Sequence, residues 1–388
     1  MGDIDIAKER AKQAVAAARE ELVEISLDIH SHPELALKEE RAAALLAGRL
    51  EARGFAVERA AFGIQTAFRA RWGEGPVTIA YLCEYDALPE IGHACGHNLI
   101  ATAGLGGALG LKAAVSPDDV TLLVLGTPAE EDIGGKVMMI EHGAFEGVDV
   151  AMMAHPSPFD IAGPPMYGVE QCHVIYRGRA VHASIAPEAG VNALDGLVLA
   201  YQAMAQLRQH IRRDSRIHGI ITYGGSAPNV VPDRAEGTFL VRALQLPYLA
   251  DLKGRVERCF QAGAEGSGAE LQVIWAPYPY APLNSNQPLA QAYRANAEAL
   301  GRKFLEVPVE STGSSDMGNV SSVVPSIHPT FSIGAFALNH TPGFTAVAAT
   351  DGAHKSMLEV AQALAMTGVD IVLDPELLRA AKAAFGGT

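Results

Sequence analysis

Three short apolar runs, Val77–Leu82, Val120–Gly126 and Val148–Met153, constrain this chain more than any other feature. Each lacks the in-out polar alternation of a half-exposed strand, so each predicts a strand buried on both faces. Helix-forming segments separate them, one beginning near Asn98 and another near Lys136–His142. That alternation predicts an α/β unit with a mostly parallel sheet. Upstream, Ile6–His30 reads as one long surface helix and Lys38–Arg53 as a second, closed by Gly54. Phe55–Glu58 and Thr66–Trp72 read as further strands.

The rhythm then changes. Strand Val169–Arg177, helix Val191–Arg213, strands Ile217–Tyr223 and Ala235–Val241, helix Tyr248–Ala264 and strand Glu270–Trp275 follow in order. That is the β-α-β-β-α-β order of a ferredoxin-like domain. Pro277–Pro288 leads out of it, and helix Leu289–Leu300, strand Ser326–Ile333 and helix Ala353–Met366 resume the α/β pattern. The expected architecture is a split catalytic domain, residues 1–168 and 282–388, with a mostly parallel mixed sheet flanked by helices. An α+β lid, residues 169–281, is inserted into it.

A length of 388 residues suits two domains. The net charge of −14 argues against a nucleic-acid partner, which needs a basic surface. Four cysteines, Cys83, Cys95, Cys172 and Cys259, form no disulfide framework. The N-terminus lacks an apolar leader core, and the weakly polar run Leu99–Leu111 is too short to span a bilayer. No membrane association and a cytoplasmic location are therefore expected.

Candidate chemistry gathers where strands end. Cys83-Glu84-Tyr85-Asp86 leads into His93-Ala94-Cys95-Gly96-His97; Glu130-Glu131 follows one apolar run and His155-Pro156 another; Asn339-His340 follows the last strand. Ligands of open α/β sheets bind in the crevice beyond the carboxyl ends of strands, where these segments can converge. Cys95, His97, Glu131, His155 and His340 offer the thiolate, imidazole and carboxylate donors that suit zinc or a similar divalent ion. One catalytic ion needs three such donors, so five suggest two ions sharing ligands and an activated water. Glu130 is then free to act as general base, and Asp86 to hold a ligand imidazole. Taken singly, each signal has a bland reading: a Cys-x-His is often a buried thiol, and a Glu-Glu pair is usually a solvated surface. His30, His142, His173, His210, His218 and His354 read as structural, and His32-Pro33-Glu34 as a helix-ending turn.

Together these segments resemble the dimetal aminoacylase and carboxypeptidase superfamily of metallopeptidases. The similarity is to the amidohydrolase branch that holds indole-acetyl-amino-acid hydrolases and p-aminobenzoyl-glutamate hydrolase. It runs from His32-Pro33-Glu34-Leu35 through Tyr85–Pro89, His93–Asn98, Pro128–Glu131, Gly178–Ser184, Asn192–Leu194 and Pro228–Pro232 to Ser315–Asn319 and His340-Thr341-Pro342. The resemblance implies metal ligands Cys95, His97, Glu131, His155 and His340, with Glu130 as base. It further implies His182 and Asn229 of the lid as oxyanion donors, and a homodimer or higher homo-oligomer formed through the lid. The residues alone equally allow His182 a place on the lid surface. Where that branch usually has Asp after Cys-Gly-His, this chain has Asn98, which with Ser314–Met317 points toward p-aminobenzoyl-glutamate and β-alanyl-dipeptide substrates.

The expected activity is metal-dependent hydrolysis of a small N-acyl or N-aroyl amino acid or dipeptide. Two divalent ions, zinc or manganese with cobalt as an option, would activate the water. The alternatives are hydrolytic deamination of an aromatic amine at the same metals, a non-catalytic metal-binding homologue, and a thiol enzyme using Cys95. Arg242 is a candidate for a substrate carboxylate or for a surface salt bridge.

Overall fold

The computed structural model describes residues 2–305, 313–334 and 336–386. The chain divides into two compact units. The larger comprises Met1–Pro164, Asn284–Pro308 and Asn319–Thr388; the smaller comprises Pro165–Leu283 and Val309–Gly318. The sequence pattern instead assigns all of 282–388 to the larger one.

The larger unit begins with α1 (Asp3–Ala17), α2 (Arg19–Ser31) and α3 (Glu40–Ala52). The single helix expected over Ile6–His30 is thus two, broken at Ala18, where φ −87° and ψ 5° leave the helical region. Strands β1 (Ala56–Arg59), β2 (Phe68–Trp72) and β3 (Val77–Cys83) precede α4 (His97–Ala114). Then come β4 (Val120–Gly126), α5 (Gly135–Glu141), β5 (Val150–Met152) and β6 (His155–Ser157). In the smaller unit, β7 (Gly168–Arg177), α6 (Ala193–Leu207), β8 (Ser215–Tyr223), β9 (Arg234–Ala243), α7 (Leu246–Ser267) and β10 (Glu270–Trp275) alternate. The chain ends with α8 (Gln287–Ala299), α9 (Met317–Ser321), β11 (Ser326–Ile327), β12 (Thr330–Ser332), α10 (Pro342–Val347), α11 (Asp351–Leu373) and α12 (Pro375–Gly386).

The main sheet has the order β1-β2-β4-β3-β5-β11. Its β4-β3-β5-β11 part is parallel, and β1 and β2 add an antiparallel edge. β6 and β12 form a separate parallel pair. The smaller unit's sheet, β10-β7-β9-β8, is wholly antiparallel, with α6 and α7 packed on it. That is the ferredoxin-like arrangement expected from the order of its elements.

Helix α4 is buried on every side from His97 to Leu111, which explains its glycine- and alanine-rich sequence. Small residues let it approach β3 and its neighbouring helices closely. A Cβ on Gly104 would lie 2.5 Å from the Leu82 carbonyl oxygen, and one on Gly110 would lie 2.6 Å from the Ala365 Cβ on α11. Helix α11 is apolar and long enough to cross a bilayer by composition, but most of it is buried in the core. We expect Gly104→Ala to lower stability by about 1–3 kcal/mol through overpacking against a backbone that cannot retreat. A shift in denaturant midpoint with an unchanged slope will measure it; an unshifted midpoint contradicts the packing argument.

Candidate metal centre

The loops that leave β3, β4 and β5 carry the expected side chains, and the larger unit brings them together. Gly96 makes the approach possible. It has φ +72° just before α4, and a Cβ there would stand 2.6 Å from Pro156 Cγ, beside the candidate ligand His155. Only glycine combines that backbone with that contact.

His97 opens α4 fully buried, with Nδ1 3.1 Å from Asp86 Oδ1. Its other nitrogen, Nε2, lies 3.2 Å from Glu84 Oε1 and 3.7 Å from Glu131 Oε1. The second oxygen of Asp86 accepts the Glu131 backbone N–H at 2.9 Å. Cys95 Sγ is 3.1 Å from His340 Nε2, which is itself 3.5 Å from Glu131 Oε2. His155 directs Nδ1 to its neighbour's carbonyl at Pro156, 2.7 Å away, and sets its ring edge-on to His97 at 5.8 Å.

These side chains form overlapping groups whose ligand atoms all lie within 4.8 Å of one another: Cys95, His97 and His155; Cys95, Glu131 and His340; and Glu84, His97 and Glu130. The first two contain all five candidate ligands and share Cys95. The buried atoms Glu84 Oε1, His97 Nε2 and Glu131 Oε1 make no hydrogen bond. Buried polar atoms are normally hydrogen-bonded, and these instead face one another as ion-pair contacts of 3.2 and 3.7 Å, a convergence that fits a cation.

The electrostatics agree. Burial opposes a charge on His97, yet Glu84 and Asp86 hold its pKa well above the usual imidazole value. Burial likewise opposes charge on Asp86, but His97 keeps it below the usual carboxylate range. Cys95 is pushed up by burial and by Glu131, and His155 is lowered to about 4 by burial and His97. Carboxylates gathered around imidazoles and a thiol make a donor set whose charge a divalent ion could balance, and metal binding to such a set releases ligand protons.

Three participants escape the sequence reading. Glu84 stands in the same segment as Asp86, and nothing in the pattern distinguishes it from a solvated acid. Fully buried Lys136, on α5, is bonded to Glu84 Oε2. His328 is fully buried with its ring 5.7 Å from that of His155. A signal for His328 does exist: His328-Pro329 follows a strand just as His155-Pro156 does.

Asn98 is fully buried in α4. Its amide donates to Ser26 Oγ at 2.9 Å and to the Ala348 carbonyl at 3.1 Å, joining α2, α4 and the loop after α10. His32-Pro33-Glu34 is the expected turn: the Glu34 carbonyl accepts Ala87 N–H, and its carboxylate accepts the N–H groups of Arg41 and Ala42. In the smaller unit, exposed His182 and Asn229 are neighbours, with Val230 bridged to His182 and Ala183 N–H donated to the Asn229 carbonyl. Arg242 of that unit bonds His218 Nε2 at 3.2 Å and Ser314 Oγ at 2.8 Å.

Residues 167–267 match the peptidase dimerisation domain family. The chain is 43% identical to the Xaa-Arg dipeptidase of Mus musculus, over 99% of this chain and 93% of that protein. It is 30% identical to a p-aminobenzoyl-glutamate hydrolase component of Escherichia coli, over 94% and 92% respectively. The chain belongs to the M20 family of metallopeptidases. It is a hydrolase acting on C–N bonds. A solved dinuclear metal-binding M20 peptidase from Bacillus subtilis has the same fold, with a TM-score of 0.72 at 21% identity over 92% of this chain and 99% of that one.

The sharing of Cys95 between two triads has a measurable consequence in this M20 chain. After reconstitution and dialysis, Cys95→Ala should lose most bound divalent metal, whereas His340→Ala should lose about half as much. Elemental analysis will decide; equal losses in the two variants rule out a shared thiolate.

Proposed function

We propose that the chain hydrolyses the amide bond of a dipeptide or N-acyl amino acid, with Glu130 as general base beside two divalent ions. Cys95, His97, Glu131, His155 and His340 hold the ions. The observation that carries this reading is the division of those five side chains into two triads sharing Cys95, with Glu130 grouped against His97. Divalent ions bound there would supply Lewis acidity and lower the pKa of water to about 7. Zinc, manganese and cobalt all accept such ligands, and the thiolate of Cys95 favours zinc.

The chain's own groups do the rest. Asp86 engages His97 through Nδ1, and the Pro156 carbonyl engages His155 through Nδ1, so each imidazole keeps Nε2 for coordination. Glu130, only 7% exposed, takes a proton from the attacking water and delivers it to the leaving amine. His182 and Asn229 are assigned to the carbonyl oxygen by family resemblance, and their adjacency on an exposed surface supports that role. Arg242 is the candidate anchor for a substrate carboxylate. Among the described residues its bonded partners, His218 and Ser314, are neutral, and burial lowers its pKa. The relatives named above support this substrate class, since both names describe amides that carry an amino acid.

Turnover of alanyl-arginine, alanyl-lysine, N-acetyl amino acids and p-aminobenzoyl-glutamate, with metal added back, tests the reading. Glu130→Gln should keep its metal and lose about 10²–10⁴-fold in kcat on the best of these. Full activity in that variant removes Glu130 as the base, and activity that survives chelation removes the metals.

The smaller unit is the proposed dimer contact. Its edge strand β8 exposes Ile220 (65%), Ile221 (39%) and Tyr223 (41%), an apolar edge that isolated sheets avoid. Light scattering should give a dimer for the wild type and a monomer for Ile220→Arg; a dimer in both places the contact elsewhere.

A further inference from the structure

The turn after β4 that carries Glu130 has a backbone that its own sequence does not favour. Ala129, the residue before Glu130, has φ +63° and is fully buried. An L-residue suffers a steric penalty in the left-handed region, so something outside the turn has to hold it there. The Ala129 carbonyl accepts N–H groups from Gly134 at 3.0 Å and Gly135 at 3.1 Å, at the start of α5. Its N–H is buried too, and it donates to Glu39 Oε1 at 2.9 Å.

Glu39 is an unusual source for that acceptor. It occupies the N-cap of α3, where a side chain ordinarily turns back to cap its own helix, but it makes no such bond. Glu34 takes over that task from outside the helix, accepting the N–H groups of Arg41 at 3.0 Å and Ala42 at 2.9 Å. Glu39 is thereby released to reach across ninety positions of sequence to Ala129, and its side chain is fully buried on the way. The next turn residue, Glu131, is secured separately through its own N–H to Asp86.

We infer that Glu39 is a positioning residue: by accepting the Ala129 N–H it locks the left-handed turn and thereby aims the Glu130 carboxylate. Its part in the reaction is an acceptor oxygen, and both the ionised and the neutral carboxyl provide one. The inference rests on the reading of Glu130 as base, and failure of that reading would appear separately, as full turnover in Glu130→Gln.

The experiment compares wild type, Glu39→Gln, Glu39→Leu and the double variant Glu39→Leu/Ala129→Gly, all loaded with metal. Alanyl-arginine is the kinetic probe, and amide hydrogen exchange over residues 127–131 is a readout that needs no substrate. Glutamine keeps an acceptor oxygen, so Glu39→Gln should stay within about threefold of wild type in kcat. Glu39→Leu should lose about 10²-fold in kcat with little change in KM or metal content, the scale of effect that misplacing a catalytic group produces. Exchange over 127–131 should accelerate in Glu39→Leu alone among the single variants. Glycine accepts a positive φ without strain, so Ala129→Gly should recover about fivefold or more of the lost rate. A merely structural role for Glu39 in core packing would not respond to a change at Ala129. Unchanged exchange and kcat in Glu39→Leu overturn the inference. So does a Glu39→Gln variant as impaired as Glu39→Leu, or a loss that Ala129→Gly leaves untouched.

Discussion

The candidate metal centre depends on one buried carboxylate. Asp86 leaves the end of β3 and connects two other parts of the chain, the first residue of α4 through His97 Nδ1 and the turn after β4 through the Glu131 N–H. Both oxygens are engaged and the group is 1% exposed. Such a charge is tolerated in a core only while its partners stay in place; breaking a buried pair on one side typically costs about 3–5 kcal/mol. The same bonds that keep Asp86 satisfied therefore fix the tautomer of one proposed ligand and the backbone of another. Ligand geometry becomes a by-product of satisfying a buried anion.

That arrangement needs rigid supports, and the packing of α4 supplies them. A helix buried on all sides has no solvent face toward which to drift, and its glycines draw β3 and α11 to within direct contact. Gly96 extends the same device into the site, bringing the start of α4 against Pro156 and thus Cys95 and His97 against His155. His340 arrives differently. Its φ of +63° and the bond from its N–H to the Ala94 carbonyl turn an otherwise exposed loop toward Cys95. Of the five proposed ligands it is the one most open to solvent, with 59% of its side chain exposed.

Much of this is legible in the sequence, for identifiable reasons. Buried parallel strands have a distinctive apolar composition, so β3 and β4 stand out almost to the residue, and the ferredoxin-like order follows from turn-bounded runs. The five proposed ligands are legible because each stands directly after a strand or in a loop carrying other donors. What stays hidden is whatever depends on long-range contact. Glu39 lies in Lys38-Glu39-Glu40-Arg41, which reads as a solvated helix start, and only the fold shows that one of its acids is buried behind Ala129. Lys136 opens the helix expected near Lys136–His142 with nothing in the pattern to mark it, and it proves to be fully buried against Glu84. Asn98 is legible only as a mark of resemblance, and the bonds that run from it into the helical core to Ser26 and Ala348 have no signal in the sequence.

His328 shows how sheet topology can duplicate a local motif to a purpose. β5 and β11 are parallel neighbours, registered Ala151 to Ser326 and Met152 to Ile327, and a His-Pro pair follows each. Pro329 has no N–H to continue a ladder, and the pairing of β5 with β11 gives way to that of β6 with β12, in the register His155 to Thr330 and Pro156 to Phe331. The interruption places His328 edge-on to His155, wholly buried, and burial lowers its pKa well below the usual imidazole value. A neutral ring at that point packs edge-on to His155 without adding positive charge beside a proposed metal ligand. The buried cation nearby, Lys136, is bonded to Glu84, whereas a charge at His328 would have no such acid partner among the described residues.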